Sequence, residues 1–165
     1  MATKTKQVNW GGIDLLVNRV ISGVQSAADG RGLNADGPVE IPDGAAYTVL
    51  AYNSGRIHLV ADQAQDVTIT LPAAADGLTY EFWYGGAAAD TNDWIIVPTA
   101  GLFKGGVLHA DTAADATTPV YADFSDDDAL QVNVPDCGTY VKVVSDGTNW
   151  FLNGMVVSAT APTIG

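Results

Sequence analysis

The residues able to do chemistry are few and scattered along the chain. Alternation through 56–60 puts His58 on the same outward face as Arg56, and His109 falls in a loop rich in Ala and Asp, so both imidazoles are expected to face solvent. Cys137 lies between Asp136 and Gly138 with no cationic neighbour to lower its pKa, which reads as a buried or unreactive thiol and not a nucleophile. No G-x-S-x-G elbow surrounds a serine, and no phosphate-binding glycine loop opens a helix. Gly85-Gly86 and Gly105-Gly106 read as turn glycines.

Carboxylates are abundant, so two acidic chemistries need testing. A glycoside hydrolase requires two carboxyls projecting into one cleft, and nothing in the sequence places a partner opposite Glu81. The run Asp126-Asp127-Asp128 offers oxygen ligands to a hard cation. Counted from Asp123, however, the sharp-turn glycine of a calcium loop falls on Asp128, and a solvated turn is the expectation. These residues specify no catalytic group, no metal site and no cofactor. A carboxylate-based glycan hydrolase is retained only as a remote alternative.

The elements that must position these side chains are strands. Val67, Ile69 and Leu71 alternate with Thr68 and Thr70, and Leu130, Val132 and Val134 alternate with Gln131 and Asn133. Further strands are expected at 47–52, 56–60, 79–84, 94–97, 119–124, 140–144, 150–152 and 155–157, each bounded by Gly, Pro, Asp or Asn. Asp146-Gly147 within 145–149 marks a tight hairpin with positive φ at the glycine. Tyr80 and Phe82 share one strand face, which leaves Glu81 and Trp83 on the other. An exposed indole at Trp83 would mark an interface. The alanine-rich pieces at 73–75, 87–89 and 113–116 read as loops. With no helical pattern between strands, the expectation is all-β, a single antiparallel β-sandwich or barrel of jelly-roll type spanning 47–165.

Residues 1–46 read as an N-terminal arm or short helix followed by a connector. Ile13, Leu16, Val17, Val20, Ile21 and Val24 fit one helix face. β-Branching, Gly11-Gly12 and Gly23 argue instead for an extended arm. Trp10, Ile13, Leu16, Val17 and Val20 form an apolar set suited either to docking on a partner or to closing the domain's own end. Residues 29–42 alternate turn formers with single apolar residues and read as an irregular surface connector.

Composition bounds the partners. The 165 residues carry a net charge of −12 and are 47% hydrophobic, too apolar for a disordered acidic tail. All 19 acidic residues except Glu40 and Glu81 are aspartate, a bias toward turns and away from helix interiors. Seven scattered Lys and Arg offer no stripe for nucleic acid or an anionic membrane. The single cysteine permits neither an internal disulfide nor a zinc site. Asp14, Asn18 and Arg19 interrupt the first apolar stretch, so neither a signal peptide nor a membrane span is expected.

Read in order, Arg56-Ile-His-Leu-Val60, Val67-Thr-Ile-Thr-Leu-Pro72, Asp76-Gly-Leu-Thr-Tyr-Glu-Phe82 and Ser145-Asp-Gly-Thr-Asn-Trp150 resemble a pattern in small virion surface proteins of tailed bacteriophages. Those include capsid decoration, or cement, proteins and modules of head and tail fibres. The resemblance implies a noncatalytic β module, commonly a homotrimer, that binds the major capsid protein on the outside of the head after assembly in the host cytoplasm. No upstream shaft of collagen-like or coiled-coil repeats is present, which favours decoration over the alternative, a receptor- or glycan-binding fibre module. That alternative predicts an exposed aromatic cluster around Trp83 or Trp94. Trp10, Ile13, Leu16, Val17, Val20 and Trp83 are the expected partner-binding residues.

Overall fold

The computed structural model describes residues 37–113 and 119–165; the expected docking set at 10–20 lies outside them. The strands of the compact unit Pro38–Gly165 form two sheets packed face to face, a sandwich and not a closed barrel. They are β1 (Val39–Ile41), β2 (Ala46–Thr48), β3 (Ile57–Val60), β4 (Val67–Leu71), β5 (Asp76–Tyr84), β6 (Trp94–Pro98), β7 (Phe103–Asp111), β8 (Val120–Asp127), β9 (Leu130–Val132), β10 (Tyr140–Asp146), β11 (Trp150–Ser158) and β12 (Thr163–Ile164). A short 3-10 turn covers Ala51–Asn53 where the sequence suggests that a strand runs through to 52. The seven-stranded sheet has the order β1-β3-β5-β10-β11-β7-β8, and the five-stranded sheet β12-β9-β6-β4-β2.

Both sheets are mixed, which corrects the expectation of an antiparallel fold. β1, β3 and β5 pair parallel in one sheet, and β2, β4 and β6 pair parallel in the other. The chain crosses from sheet to sheet at every step of this half, so the crossover between parallel neighbours is a strand of the opposite layer. A parallel pair needs a long return connection, and here another strand supplies what a helix supplies elsewhere. The β10–β11 hairpin joins antiparallel to β5, and β11 then pairs parallel with β7.

The core follows the period-two pattern. Val67, Ile69 and Leu71 of β4, with Trp94 and Ile96 of β6, face Tyr80, Phe82, Val141, Val143, Trp150 and Leu152 of the larger sheet, all buried. Ile41 of β1 joins them, so the stretch read as an irregular connector contributes to the core before residue 47. β7 is likewise a strand where turn glycines and a loop were expected. Gly105 and Gly106 lie inside it because backbone and ring approach too closely for a side chain: a Cβ at Gly105 would stand 2.3 Å from the Leu152 carbonyl oxygen, and one at Gly106 would stand 2.5 Å from the Tyr121 ring. The 145–149 hairpin forms as read, with Gly147 at φ 91 and the Asp146 carboxylate accepting from the Thr148 and Asn149 N–H groups.

The Asp93 side chain pins the smaller sheet. Asp93 accepts from the Val134 N–H at 2.9 Å and from Gln131 Nε2 at 2.8 Å, holding β9 against the start of β6. Val134 itself has φ 45, a left-handed conformation that is costly for a β-branched residue and that this hydrogen bond helps to hold.

Candidate functional site

The outer face of the seven-stranded sheet carries the features suited to recognition. Register places Leu59, Trp83, Tyr140, Met155, Leu108 and Tyr121 side by side on β3, β5, β10, β11, β7 and β8, one apolar and aromatic row across six adjacent strands. Trp83 is 38% exposed, Leu108 45% and Tyr121 54%. Such a row is far more than the scattered single hydrophobics of an ordinary surface. The next row is polar, running Ile57, Glu81, Lys142, Asn153, Gly106 and Asp123, and the one beyond it places Val144 beside Phe151, itself 47% exposed.

The row divides into two halves of different character. On β11, β7 and β8, Met155, Leu108 and Tyr121 form a mainly apolar cluster, with the Tyr121 ring close over Gly106, while Phe151 lies two rows away on β11, paired with Lys104 and Val144. On β3, β5 and β10, the Trp83 and Tyr140 rings stack with centroids 5.1 Å apart and an interplanar angle of 22°. Beneath them the Glu81 carboxylate accepts from Lys142 Nζ at 2.9 Å and from Trp83 Nε1 at 3.4 Å. The Lys142 ammonium holds the Glu81 carboxyl below the usual carboxylate range, so Glu81 stays ionised as an acceptor. Beside this pair opens a pocket of about 150 Å³ lined by Gly55, Arg56, Thr79, Tyr80, Glu81 and Lys142.

The expected outward position of Trp83 and inward positions of Tyr80 and Phe82 are found as read. Trp94 is buried beside Tyr84 and takes no part in the aromatic surface. Both histidines correct the reading. His58 is fully buried, ringed by Tyr47, Tyr80 and Phe82 at centroid distances of 6.4, 5.7 and 5.2 Å. Its neighbours Ile57 and Leu59 take the outer face instead. Burial pushes the His58 pKa down, and neither ring nitrogen has a hydrogen-bond partner among the described residues. His109 is also buried, on β7, with Nε2 3.2 Å from the Ser158 carbonyl oxygen. Cys137 is exposed, not buried, and its thiol approaches the Gly86 carbonyl at 3.5 Å. Asp126 and Asp127 end β8 rather than forming a free turn; Asp126 pairs with Lys104 at 3.1 Å, and Asp127 accepts from the Ser125 N–H.

Tyr140, Met155, Leu108, Tyr121 and Phe151 were not singled out in the sequence. Period two marks which of them share a face within a strand, but their alignment depends on register between strands far apart in the chain. No family model, curated protein or solved structure matches this chain.

Proposed function

We propose that this chain is a noncatalytic structural protein of a tailed-bacteriophage virion, a capsid decoration protein that binds the major capsid protein on the outer face of the head. The resemblance in the segments taken in order from 56 to 150 supports the class, and the apolar cluster of Met155, Leu108 and Tyr121 supports this face as the attachment surface. That patch is the single observation that carries the reading. Leu108 and Tyr121 are among the exposed large hydrophobics of the described residues, on a sheet braced from behind by the core. At about 25 cal/mol per Å² of apolar area, covering two such side chains contributes a few kcal/mol to binding a preformed lattice. A rigid sheet surface loses little conformational entropy on docking. The net charge of −12 suits the outside of a shell better than the side facing packaged DNA.

The assembly on the particle is a homotrimer in this reading, because a closed three-fold ring matches lattice points of the same symmetry and lets one small chain bridge several capsid subunits. Cosedimentation of the purified protein with empty heads of a phage that encodes it tests the proposal, with Leu108→Asp and Tyr121→Asp as the variants. Saturable binding that both substitutions weaken supports it; no binding to heads, or binding indifferent to both, rejects it.

A further inference from the structure

We infer that the Trp83–Tyr140 stack and the Glu81–Lys142 ion pair beside it form a binding subsite for one neutral hexopyranose residue of the galactose kind. The inference goes beyond capsid attachment, uses a different part of the sheet and does not rest on that reading. Sheets twist by about 20–25° per strand, so β5 and β7, three steps apart, turn their outer faces about 60–75° from one another. A flat partner on the Leu108 side therefore leaves the β5–β10 end open to a second ligand.

Register puts an apolar surface and a polar pair side by side. Trp83 is paired with Tyr140 and Glu81 with Lys142 across the same two strands, at neighbouring positions of the outer face. The Trp83 Nε1–H donates to Glu81 Oε2 at 3.4 Å, which orients the indole toward its polar neighbour. A hexopyranose with one axial hydroxyl has the matching two-sided form, with C–H groups gathered on one face and hydroxyls around the rim. Its C–H face lies on the aromatic pair, of which Trp83 is 38% exposed, and the rim meets the ion pair. Capacity for sugar hydroxyls remains there. Glu81 accepts from the indole and from Lys142 Nζ, two of about four acceptor positions, and Lys142 spends one of its three donors on Glu81. Both side chains are open to solvent, Lys142 being 48% exposed and Glu81 32%. A hydroxyl both donates and accepts, so two on neighbouring ring carbons engage Glu81 and Lys142 without either charge losing its partner. Glu81 and Lys142 cancel one another, and the net charge of −12 disfavours an anion, so the fitting ligand is uncharged.

The pocket of about 150 Å³ that opens beside Glu81 and Lys142 takes one ring substituent and not a whole oligosaccharide. Its wall is fixed before any ligand arrives. The Gly55 N–H donates to the Thr79 carbonyl at 2.8 Å, and the Thr79 N–H donates to Ser54 Oγ at 3.0 Å. Arg56, on the same wall, is already engaged, with Nη1 donating to Asn53 Oδ1 at 3.1 Å. These bonds tie the Ala51–Asn53 turn and the residues after it to β5, so binding does not have to order a loop.

Titration of the ¹⁵N-labelled full chain with methyl β-galactopyranoside, followed at the Trp83 indole N–H resonance, tests the inference. The expected result is a saturable shift with a dissociation constant of about 1–10 mM, weakened at least about fivefold by Lys142→Met. Trp83→Ala, followed at backbone amides of β5 and β10, weakens binding to a similar extent. Galacturonate, the same ring with a carboxylate, is expected to bind more weakly than the neutral glycoside. Glycerol, which has hydroxyls but no ring face, is expected to leave the Trp83 resonance in place. Equal or tighter binding of galacturonate overturns the neutral selectivity, and a glycerol response equal to that of the sugar overturns recognition of the ring. Full-strength binding by both variants overturns the assignment to these residues, and no saturable shift by about 100 mM rejects the site altogether. None of these arms depends on whether the chain binds phage heads.

Discussion

Trp83 on β5 and Tyr140 on β10 are directly paired across the sheet, and their rings stack at 5.1 Å with planes 22° apart. A stacked pair this open to solvent is a poor use of two aromatic rings for a core already filled by Tyr80, Phe82, Trp94 and Trp150. It lies on the face that also carries Leu108 and Tyr121, in contrast to the fully buried aromatics behind it.

Removing Trp83 separates surface from core. Trp83→Ala gives up the cross-strand pair, a loss of about 0.5–1.5 kcal/mol. The melting temperature falls by about 2–6 °C with the far-ultraviolet circular dichroism unchanged. A variant that fails to fold would place the indole among the core residues.

His58 makes stability depend on pH. Burial lowers its pKa in the folded chain below the unfolded value of about 6.5, so between those two values the unfolded chain binds more protons. Its contribution is complete above about pH 6.5 and is lost as the pH falls toward the folded-state value. Tyr47, Tyr80 and Phe82 surround the ring, and Arg56 is the charged group acting on it. His58→Phe is expected to flatten the melting temperature between about pH 6.5 and pH 5 without lowering it at pH 7. Identical slopes for both proteins would assign the acid sensitivity to other groups.

Two glycines with similar φ separate conformation from space. Gly147, at φ 91, has its nearest atom 3.4 Å from an added Cβ, so Gly147→Ala costs only the left-handed conformation, about 1 kcal/mol. Gly105, at φ 104, would also press a Cβ to 2.3 Å from the Leu152 carbonyl on the neighbouring strand. Gly105→Ala is therefore expected to cost more than about 2 kcal/mol in urea unfolding, and equal midpoints for the two variants would contradict the β7–β11 pairing.

These glycines also mark the limit of what the sequence discloses. Where one strand face is apolar and the other polar, as in Val67-Thr-Ile-Thr-Leu71, alternation identifies both the strand and its buried side. In Ile57-His-Leu-Val60 both faces are apolar apart from the imidazole, so period two cannot tell which side is buried, and His58 is assigned to the wrong one. In Phe103–Asp111 the paired glycines mimic a turn, although they answer to a backbone neighbour about fifty positions later in the chain and to the Tyr121 ring. Parallel pairing was hidden for a related reason, since crossover through the opposite sheet leaves no helical segment to signal it. The candidate surface was legible at Trp83 through its strand parity. The rest of the row emerges only when five registers are known.

Attachment through the β11–β7–β8 patch is the central claim, and head binding tests it most directly. If the proposal holds, sedimentation of empty phage heads with increasing protein gives saturable occupancy, and the Leu108→Asp, Tyr121→Asp double variant binds at least about tenfold more weakly while melting within a few degrees of the parent. Full occupancy by the double variant, or no occupancy by the parent, would contradict it.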